Sequence, residues 1–239
     1  MTEDYWTGLV EFEGKTRSWD FAGKDLVQDR NARPRKAGPA DIQVRAGSGP
    51  TPVPAPVLPT SGDLTDLSQD KPMGLLPAPV RLWLIGLTQL NENWDGVACY
   101  VTQDRTHWVQ ISANEAVSFQ SYLTPSLIKM LAPKWPASLG EDALADSLSR
   151  PERLATHLSS AALANQPADI AGHLIGAELA AAKPYWLGQQ VSLCGDPSLC
   201  ALYHHALTTQ GVPVTTVNSD VLTHAGLFAL YQRTAKDGN

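Results

Sequence analysis

The chain has 239 residues, which is enough for one large domain or two small ones. Its net charge of −6 argues against a broad surface for nucleic acid or anionic membranes, because such surfaces need an excess of basic residues. With 43% hydrophobic and 18% charged residues the chain is too apolar for a disordered protein, and no apolar run approaches the roughly 20 residues of a membrane span.

The cysteine content and the N-terminus point to one compartment. Cys99, Cys194 and Cys200 fit neither a disulfide framework nor a CxxC metal site, so the residues predict no metal site. The first four residues include two acidic and no basic residues, so they lack the basic start of a signal peptide. We therefore expect a protein of the reducing cytoplasm, with neither nucleic acid nor membrane as partner.

The first third of the chain changes character near residue 30. Residues 5–30 alternate apolar and polar side chains around glycine-containing turns, a pattern typical of a β-hairpin or short meander. A basic cluster follows at 30–36, and 10 of the 18 prolines lie between Pro34 and Pro79. Proline lacks a backbone donor, so this stretch predicts extended chain over a core or a semi-rigid linker, and its interspersed Val and Leu favour the packed alternative.

The rest of the chain predicts alternating strands and helices. Thr124 is predicted as an N-cap, with Pro125 at the first helical position. Short apolar runs predict strands over 80–86, 96–102, 106–111, 190–194 and 212–217. Helical periodicity predicts helices over 152–165, 168–183, 198–210 and 221–235. This order implies an α/β fold with parallel pairing of strands.

The turn after the strand at 190–194 carries Gly195, Asp196 and Ser198. A glycine there lets the backbone approach a ligand, and the start of the next helix favours an anion. The same residues also fit a tight turn in which Asp196 or Ser198 caps the helix. Asp220, before the last helix, likewise fits either an N-cap or a ligand group at a strand end.

The remaining polar candidates are one turn and four histidines. The turn that contains Asp104 and Thr106 fits either a phosphate site or a solvated hairpin turn. His204 and His205 are adjacent on a predicted helix and therefore face different directions. His157 and His173 are interpreted as isolated structural or surface residues, and no Ser/His/Asp signature is recognised.

Several segments resemble one family of sugar-acid kinases. Residues 171–179 resemble the "GLLIGAE" helix of 2-dehydro-3-deoxygalactonokinases, also called 2-keto-3-deoxygalactonate kinases. Residues 191–199 are similar to that family's strand and Gly-x-x-x-Leu turn, and 225–227 to its final helix. The resemblance implies the actin-like ATPase (ribonuclease H-like) fold of sugar kinases. It also implies a reduced N-terminal lobe over 1–99, with the proline-rich segment 34–79, and a C-terminal α/β lobe over 100–239.

The resemblance further implies an activity and a set of site residues. A family member phosphorylates 2-dehydro-3-deoxy-D-galactonate with ATP and Mg²⁺, so a sugar acid and a nucleotide are the expected small-molecule partners. Separately from the resemblance, a homodimer is one assembly open to the chain, and the sequence does not fix the oligomeric state. Glu11 or Glu13 would supply the catalytic acid near the metal. The cofactor-binding residues implied are Gly195, Asp196 and Ser198 on the nucleotide side and Asp104 and Thr106 in the phosphate turn.

The chain also departs from the family's pattern at the phosphate motifs. The acid of the first motif falls on Val10, and the turn at 103–106 lacks the glycine and carries Asp104 close to where phosphate would lie. An acidic turn opposes phosphate electrostatically, and the loss of oriented donors costs transition-state stabilisation. The alternative function is therefore a catalytically inactive pseudokinase that binds a ligand or regulates another protein and needs no cofactor.

Overall fold

The chain divides into two compact units in the computed structural model, which describes residues 5–30, 41–47, 49–132 and 134–237. Unit 1 comprises Met1–Asp95, Ile111–Ser118 and Asn218–Asn239, and unit 2 comprises Gly96–Gln110 and Phe119–Val217. The last residues of the chain thus group with the first 95. The resemblance instead implied two lobes that meet between residues 99 and 100.

Unit 1 contains short sheets and two long helices. One sheet has the strand order β3-β2-β1-β4, in which β4 runs parallel to β1, and a second has the order β5-β7-β8. The helices are α1 (Ala78–Leu90) and α8 (Ser219–Asp237). The strands are β1 (Tyr5–Phe12), β2 (Lys15–Ala22), β3 (Asp25–Asp29), β4 (Ile42–Arg45), β5 (Thr51–Pro52), β6 (Ala55–Pro56), β7 (Leu67–Asp70) and β8 (Met73–Leu76).

The predicted meander is confirmed. Strands β1 and β2 pair antiparallel in continuous register from Tyr5 opposite Ala22 to Phe12 opposite Lys15, and β3 extends the sheet. Trp6 stacks between Phe21 and Tyr231, with ring centroids 4.3 and 4.5 Å apart. These rings anchor the start of β1 on α8.

The proline-rich segment from residue 41 onward is extended chain with short strands. Its strands β5 and β6 are two residues long, because proline interrupts the ladder of hydrogen bonds. Val57 and Leu67 are fully buried, so the segment packs against the core of unit 1, as the packed alternative predicted. Part of the basic cluster and of the proline-rich stretch, 31–40, lies outside the described residues.

The prediction of a strand at 80–86 is wrong, because these residues lie within α1. Pro79 occupies the first turn of the helix, where its missing N–H is tolerated. Trp83 is half-buried and donates through Nε1 to Thr223 Oγ1 of α8, over 3.0 Å, while its neighbours on both sides are buried. A helix that is buried on nearly all sides loses its 3.6-residue polar periodicity and reads as an apolar strand.

Unit 2 is a sheet with helices packed against it. Its strand order is β13-β12-β9-β10-β11, and β9, β12 and β13 pair in parallel, as predicted. The first residues of β11 belong to unit 1, where they pair with β6. The strands are β9 (Gly96–Val101), β10 (Thr106–Ser112), β11 (Glu115–Tyr122), β12 (Val191–Gly195) and β13 (Val214–Thr216).

The helices of unit 2 cover one another and the sheet. The predicted helices at 152–165, 168–183 and 198–210 are confirmed, whereas α3 and strand β11 were not predicted. The helices are α2 (Thr124–Leu131), α3 (Glu141–Ser149), α4 (Leu154–Leu163), α5 (Pro167–Ala181), α6 (Lys183–Trp186) and α7 (Pro197–Thr209). None of the described helices combines the length and the apolar character that a membrane span requires.

Candidate functional site

Two turns of unit 2 lie side by side at the carboxyl ends of β9 and β12. The two strands pair in parallel, with Val101 opposite Gly195, and the Asp196 backbone N–H donates to the Val101 carbonyl over 3.1 Å. The turn after β9 covers 102–105, and the turn after β12 leads directly into α7. This edge therefore brings together the predicted residues Asp104 and Gly195 to Ser198.

Gly195 is required by the close approach of β9. Its φ is +141°, and a Cβ placed on it would lie 1.8 Å from the Val101 carbonyl oxygen. No larger side chain fits there unless the paired strands separate. The glycine thus serves the tight turn that was one of its two predicted interpretations.

Asp196 caps α7, as its second predicted interpretation requires. Its Oδ1 accepts hydrogen bonds from the backbone N–H groups of Ser198, over 2.9 Å, and Leu199, over 3.2 Å, and from the Ser198 hydroxyl. Partial burial raises the pKa of Asp196, but these hydrogen bonds outweigh it and hold the pKa below its ordinary value of 3.8. The N-terminus of α7 is therefore already neutralised by a carboxylate of the chain itself.

The turn after β9 is closed on itself and fastened by α2. Thr102 Oγ1 accepts from the Arg105 N–H over 3.1 Å and donates to the Arg105 carbonyl over 2.9 Å. Ser126 Oγ donates to the Asp104 carbonyl over 2.9 Å, and Lys129 Nζ to the Gln103 carbonyl over 2.6 Å. The turn is thus held as a fixed loop, with its backbone carbonyls rather than its N–H groups engaged by α2.

The charged side chains of this edge are the carboxylates of Asp104 and Asp196, Lys129 of α2 and the exposed Arg105 of the turn itself. The Asp104 side chain is 76% exposed, and its Oδ1 lies 3.9 Å from Lys129 Nζ. Lys129 also contributes to lowering the pKa of Asp196. Ser126 and Lys129 were not among the predicted site residues. Their position in the first two turns of the helix predicted to start near 124 is the signal that could have indicated them.

Thr106 lies in a buried network rather than on the surface of the turn. Its side chain is fully buried, and Oγ1 lies 3.0 Å from the Tyr203 hydroxyl and 3.3 Å from Glu178 Oε2. Its hydroxyl is therefore engaged inside unit 2.

Glu178 is the centre of that network. Its carboxylate accepts hydrogen bonds from Trp108 Nε1 and from the Tyr203 hydroxyl, both over 2.7 Å, and from Thr124. Burial raises the pKa of Glu178 above its ordinary value, although the four hydrogen bonds oppose the rise. The resemblance included Glu178 in its helix motif, but no role was predicted for it. Glu178 ties β10, α2 and α7 to α5 directly beneath the turn after β9.

Two predicted helix caps are corrected by these contacts. Thr124 is the first residue of α2 rather than its N-cap, because its buried side chain bonds to Glu178. Asp220 does not cap α8, since Asn218 Oδ1 accepts from the backbone N–H groups of Asp220 and Val221. Asp220 instead forms a two-point ion pair with Arg17 of β2, over 2.6 and 3.0 Å. The hydrogen bond from Arg17 lowers the pKa of Asp220.

Glu11 and Glu13 lie in unit 1. Glu11 is exposed near the end of β1, with Oε1 3.5 Å from Gln43 Nε2, and Glu13 is exposed in the turn between β1 and β2. Among the described residues, no three His, Cys, Asp or Glu side chains converge in a way that could hold a metal ion.

Two of the surface cavities among the described residues of unit 1 are formed without any predicted site residue. One, of about 300 Å³, lies at the start of β1, at the opposite end of the strand from Glu11, and Trp6, Asp20 and Arg30 line it. The other, of about 490 Å³, is lined by Pro56, Leu58, Thr88, Gln89, Glu92, Asn93, Ala113, Asn114 and Glu115.

Comparisons with known proteins bear on the fold and on part of the chain. Residues 136–230 match the model of the 2-keto-3-deoxy-galactonokinase family, which is less than half of the chain. No curated protein matches the chain. A candidate 2-dehydro-3-deoxygalactonokinase from Sinorhizobium meliloti superposes with a TM-score of 0.79 at 18% identity, covering 96% of this chain and 99% of that one.

Two further solved structures share the fold at lower similarity. Component A of (R)-2-hydroxyglutaryl-CoA dehydratase from Acidaminococcus fermentans has a TM-score of 0.54 at 12% identity and covers 97% of this chain and 99% of that one. The activator of 2-hydroxyisocaproyl-CoA dehydratase from Clostridium difficile, solved with bound ADPNP, has a TM-score of 0.55 at 8% identity. The match covers 98% of this chain and 97% of that one. The chain has the α/β actin-like ATPase fold that the resemblance predicted, and its segment 136–230 matches the 2-keto-3-deoxy-galactonokinase family.

Proposed function

We propose that this protein is a sugar-acid kinase-like protein that binds a small sugar acid without efficient phosphoryl transfer. One observation carries the proposal: the two adjacent turns of unit 2 present carboxylates where the resemblance places phosphate and nucleotide. Asp196 occupies the N-terminus of α7, and Asp104 projects from the turn after β9.

The residues present fit Mg²⁺-ATP poorly. Backbone N–H groups at a helix N-terminus normally attract phosphate, but those of Ser198 and Leu199 already bond to the Asp196 carboxylate. Asp104 adds a second negative charge at the neighbouring turn, where Lys129 and the adjacent Arg105 are the nearby cations. Phosphoryl transfer depends on oriented donors and cations around the developing charge, and the loss of one such donor commonly costs about 3 kcal/mol of barrier.

The proposal is tested by measuring ADP release from purified protein with Mg²⁺-ATP and 2-dehydro-3-deoxy-D-galactonate. We expect no ADP release above background. In calorimetry with the sugar acid alone, we expect a measurable heat of binding. Turnover in the ordinary enzyme range, about 1 s⁻¹ or faster, would contradict the proposal.

A variant without the Asp104 charge tests whether electrostatic repulsion, rather than the lack of a nucleotide site, weakens ATP binding. Asp104→Asn removes a largely exposed charge from the turn, so we expect it to strengthen ATP binding measurably. Asp142→Asn, an exposed residue of α3, is the matched control and should leave ATP binding unchanged. Equal ATP affinity in both variants would show that Asp104 does not oppose the nucleotide.

An active kinase is the second candidate, and Lys129 is the observation that favours it. Its ammonium group lies at the Gln103 carbonyl and near Asp104, where it could meet a phosphate. If ADP release is observed, Lys129→Met should abolish most of it, whereas Lys183→Met on α6 should not.

A further inference from the structure

Helices α3, α4 and α5 of unit 2 bring together an aspartate, a serine and two histidines. Ser147 Oγ lies 2.9 Å from Nδ1 of His173 and 3.3 Å from Nδ1 of His157. Nε2 of His157 lies 3.0 Å from Asp146 Oδ2. The four side chains, Asp146, His157, Ser147 and His173, form one continuous hydrogen-bonded chain, hereafter the histidine relay.

The close packing of α5 on α3 makes the histidine relay possible. A Cβ placed on Gly172 would lie 2.4 Å from the Gly140 carbonyl oxygen and 3.0 Å from the Ala143 side chain, so only glycine permits this approach. His173 follows Gly172 directly and reaches Ser147 from the opposite helix. The imidazole rings of His157 and His173 are 4.7 Å apart between centroids.

The proton inventory of the histidine relay is fixed by chemistry. A carboxylate only accepts, so Nε2 of His157 carries a proton toward Asp146. When His157 is neutral, its Nδ1 accepts the single hydroxyl proton of Ser147, and the Ser147 oxygen accepts from Nδ1–H of His173. All hydrogen bonds of the cluster are then satisfied with both imidazoles uncharged.

One added proton is accommodated without breaking a contact. If it sits on Nδ1 of His157, the Ser147 hydroxyl turns to donate to Nδ1 of His173, whose own proton moves to Nε2. A second added proton puts Nδ1–H groups from both rings against one oxygen and leaves the hydroxyl proton without an acceptor in the cluster. It also places two cations at a ring separation of 4.7 Å, a strongly unfavourable arrangement.

The charged groups around the two imidazoles do not remove this difference between the first and the second added proton. On α3 Asp146 also contacts Arg150, and on α5 Asp169 lies near His173. Glu152 and Arg153, in the 3₁₀ turn before α4, are exposed. Burial lowers the pKa of His173, and proximity to His157 adds to the effect, while Asp169 and the Ala143 backbone oppose it.

The histidine relay is not a hydrolytic triad, because Ser147 is fully buried and no substrate can reach its oxygen. We propose instead that it is a proton-sensing contact that binds one proton readily and a second only at the expense of the packing of α3, α4 and α5. Acidification then loosens α5, the helix that also carries Glu178. This inference does not depend on the proposed function.

The test is a pH titration of the histidine side chains by nuclear magnetic resonance in the intact protein. In the wild type we expect the titration midpoint of His173 to lie below the ordinary histidine value of 6.5. His157→Gln should raise the titration midpoint of His173 by about half a pH unit or more. His204→Gln, an exposed residue of α7, is the control and should shift neither ring.

A stability measurement gives an independent readout. Thermal unfolding should show the wild type losing stability more steeply than His157→Gln as pH falls from about 7 to 5, because only the wild type must accommodate two cations. A wild-type His173 midpoint at or above 6.5, or a midpoint unmoved by His157→Gln, would overturn the proposal. In a Ser147→Ala background, His157→Gln should move the His173 midpoint less; if that buried variant does not fold, the wild-type His173 titration and His157→Gln still decide.

Discussion

Single residues at the edge of the unit 2 sheet show how backbone geometry limits the sequence. Gly195 has a positive φ and meets the Val101 carbonyl, so its replacement combines backbone strain with a steric clash. Gly211 also has a positive φ, but nothing lies within 4 Å of its added Cβ. A comparison of the two glycines therefore distinguishes the cost of backbone strain from the cost of a steric clash.

We predict that Gly195→Ala lowers the free energy of unfolding by about 3 kcal/mol or more, because β9 and β12 must separate. Gly211→Ala should cost only about 1 kcal/mol from backbone strain. Urea denaturation of both variants measures the difference. Equal losses would mean that the turn after β12 yields without strain.

Glu178 is a second residue whose environment determines its chemistry. Burial raises its pKa, so the folded protein binds this proton more tightly than the unfolded chain does. The contribution of this group to stability is therefore fully present below its ordinary pKa of 4.5 and is lost as pH rises through the folded pKa.

Glu178→Gln removes that titration while it keeps an acceptor for Trp108. We expect the stability difference, wild type minus variant, to fall as pH rises above 4.5, measured by denaturation across the pH range. Glu178→Leu should cost about 3 kcal/mol or more at any pH, because the indole and hydroxyl donors are left unpaired. Glu152→Gln, on an exposed residue, is the control. A pH-independent difference for Glu178→Gln would contradict the buried-carboxyl assignment.

At the scale of elements, α7 illustrates a helix whose start is predictable from local sequence. Asp196 precedes Pro197, and a short acidic side chain before a proline is a typical helix start. The element α1 shows the opposite case. Its residues 80–86 read as a strand, and only burial against α8 explains why an all-apolar segment is helical.

For α7 we predict that Asp196→Ala lowers the free energy of unfolding by about 1 kcal/mol at neutral pH. The pKa of Asp196 is lowered in the folded protein, so its stabilisation is present above its ordinary value of 3.8 and is lost as pH falls through the folded pKa. Denaturation at neutral and acidic pH should therefore show the variant's deficit shrinking in acid. A deficit that persists unchanged at the lowest pH would indicate that the carboxylate charge does not support the cap.

At the scale of the whole chain, unit 1 is assembled from distant parts of the sequence. Arg17 of β2 and Asp220 of α8 are 203 positions apart and form a two-point ion pair. Arg17 also lies over the Trp19 ring, 4.8 Å from its centroid. These contacts, with the stack of Trp6 on Tyr231, join the last helix to the first sheet.

A double-mutant cycle on Arg17→Gln and Asp220→Asn measures this long-range contact. Both side chains are about two-fifths exposed, so we expect a coupling energy of only about 0.5–1 kcal/mol, decreasing with added salt. Strict additivity of the two substitutions would mean that the ion pair contributes nothing to the association of β2 with α8.

Features that depend on neighbours along the chain could be predicted from the sequence. These were the meander, the strands β9, β10, β12 and β13, the helices α4, α5, α7 and α8 and the turn at Gly195, since turn glycines, N-terminal prolines and periodicity are local signals. The resemblance at 171–179 and 191–199 predicted the fold, and it also predicted the family whose model matches residues 136–230.

The contacts between distant elements depend on tertiary packing. It placed Thr106 and Thr124 around Glu178, paired Asp220 with Arg17 and joined His157 to His173 through Ser147. A sequence pattern reports whether a side chain suits a helix or a strand, but not which distant side chain will meet it. Burial against that partner then determines whether a hydroxyl faces a ligand or the core, and whether a histidine is isolated or one of a coupled pair.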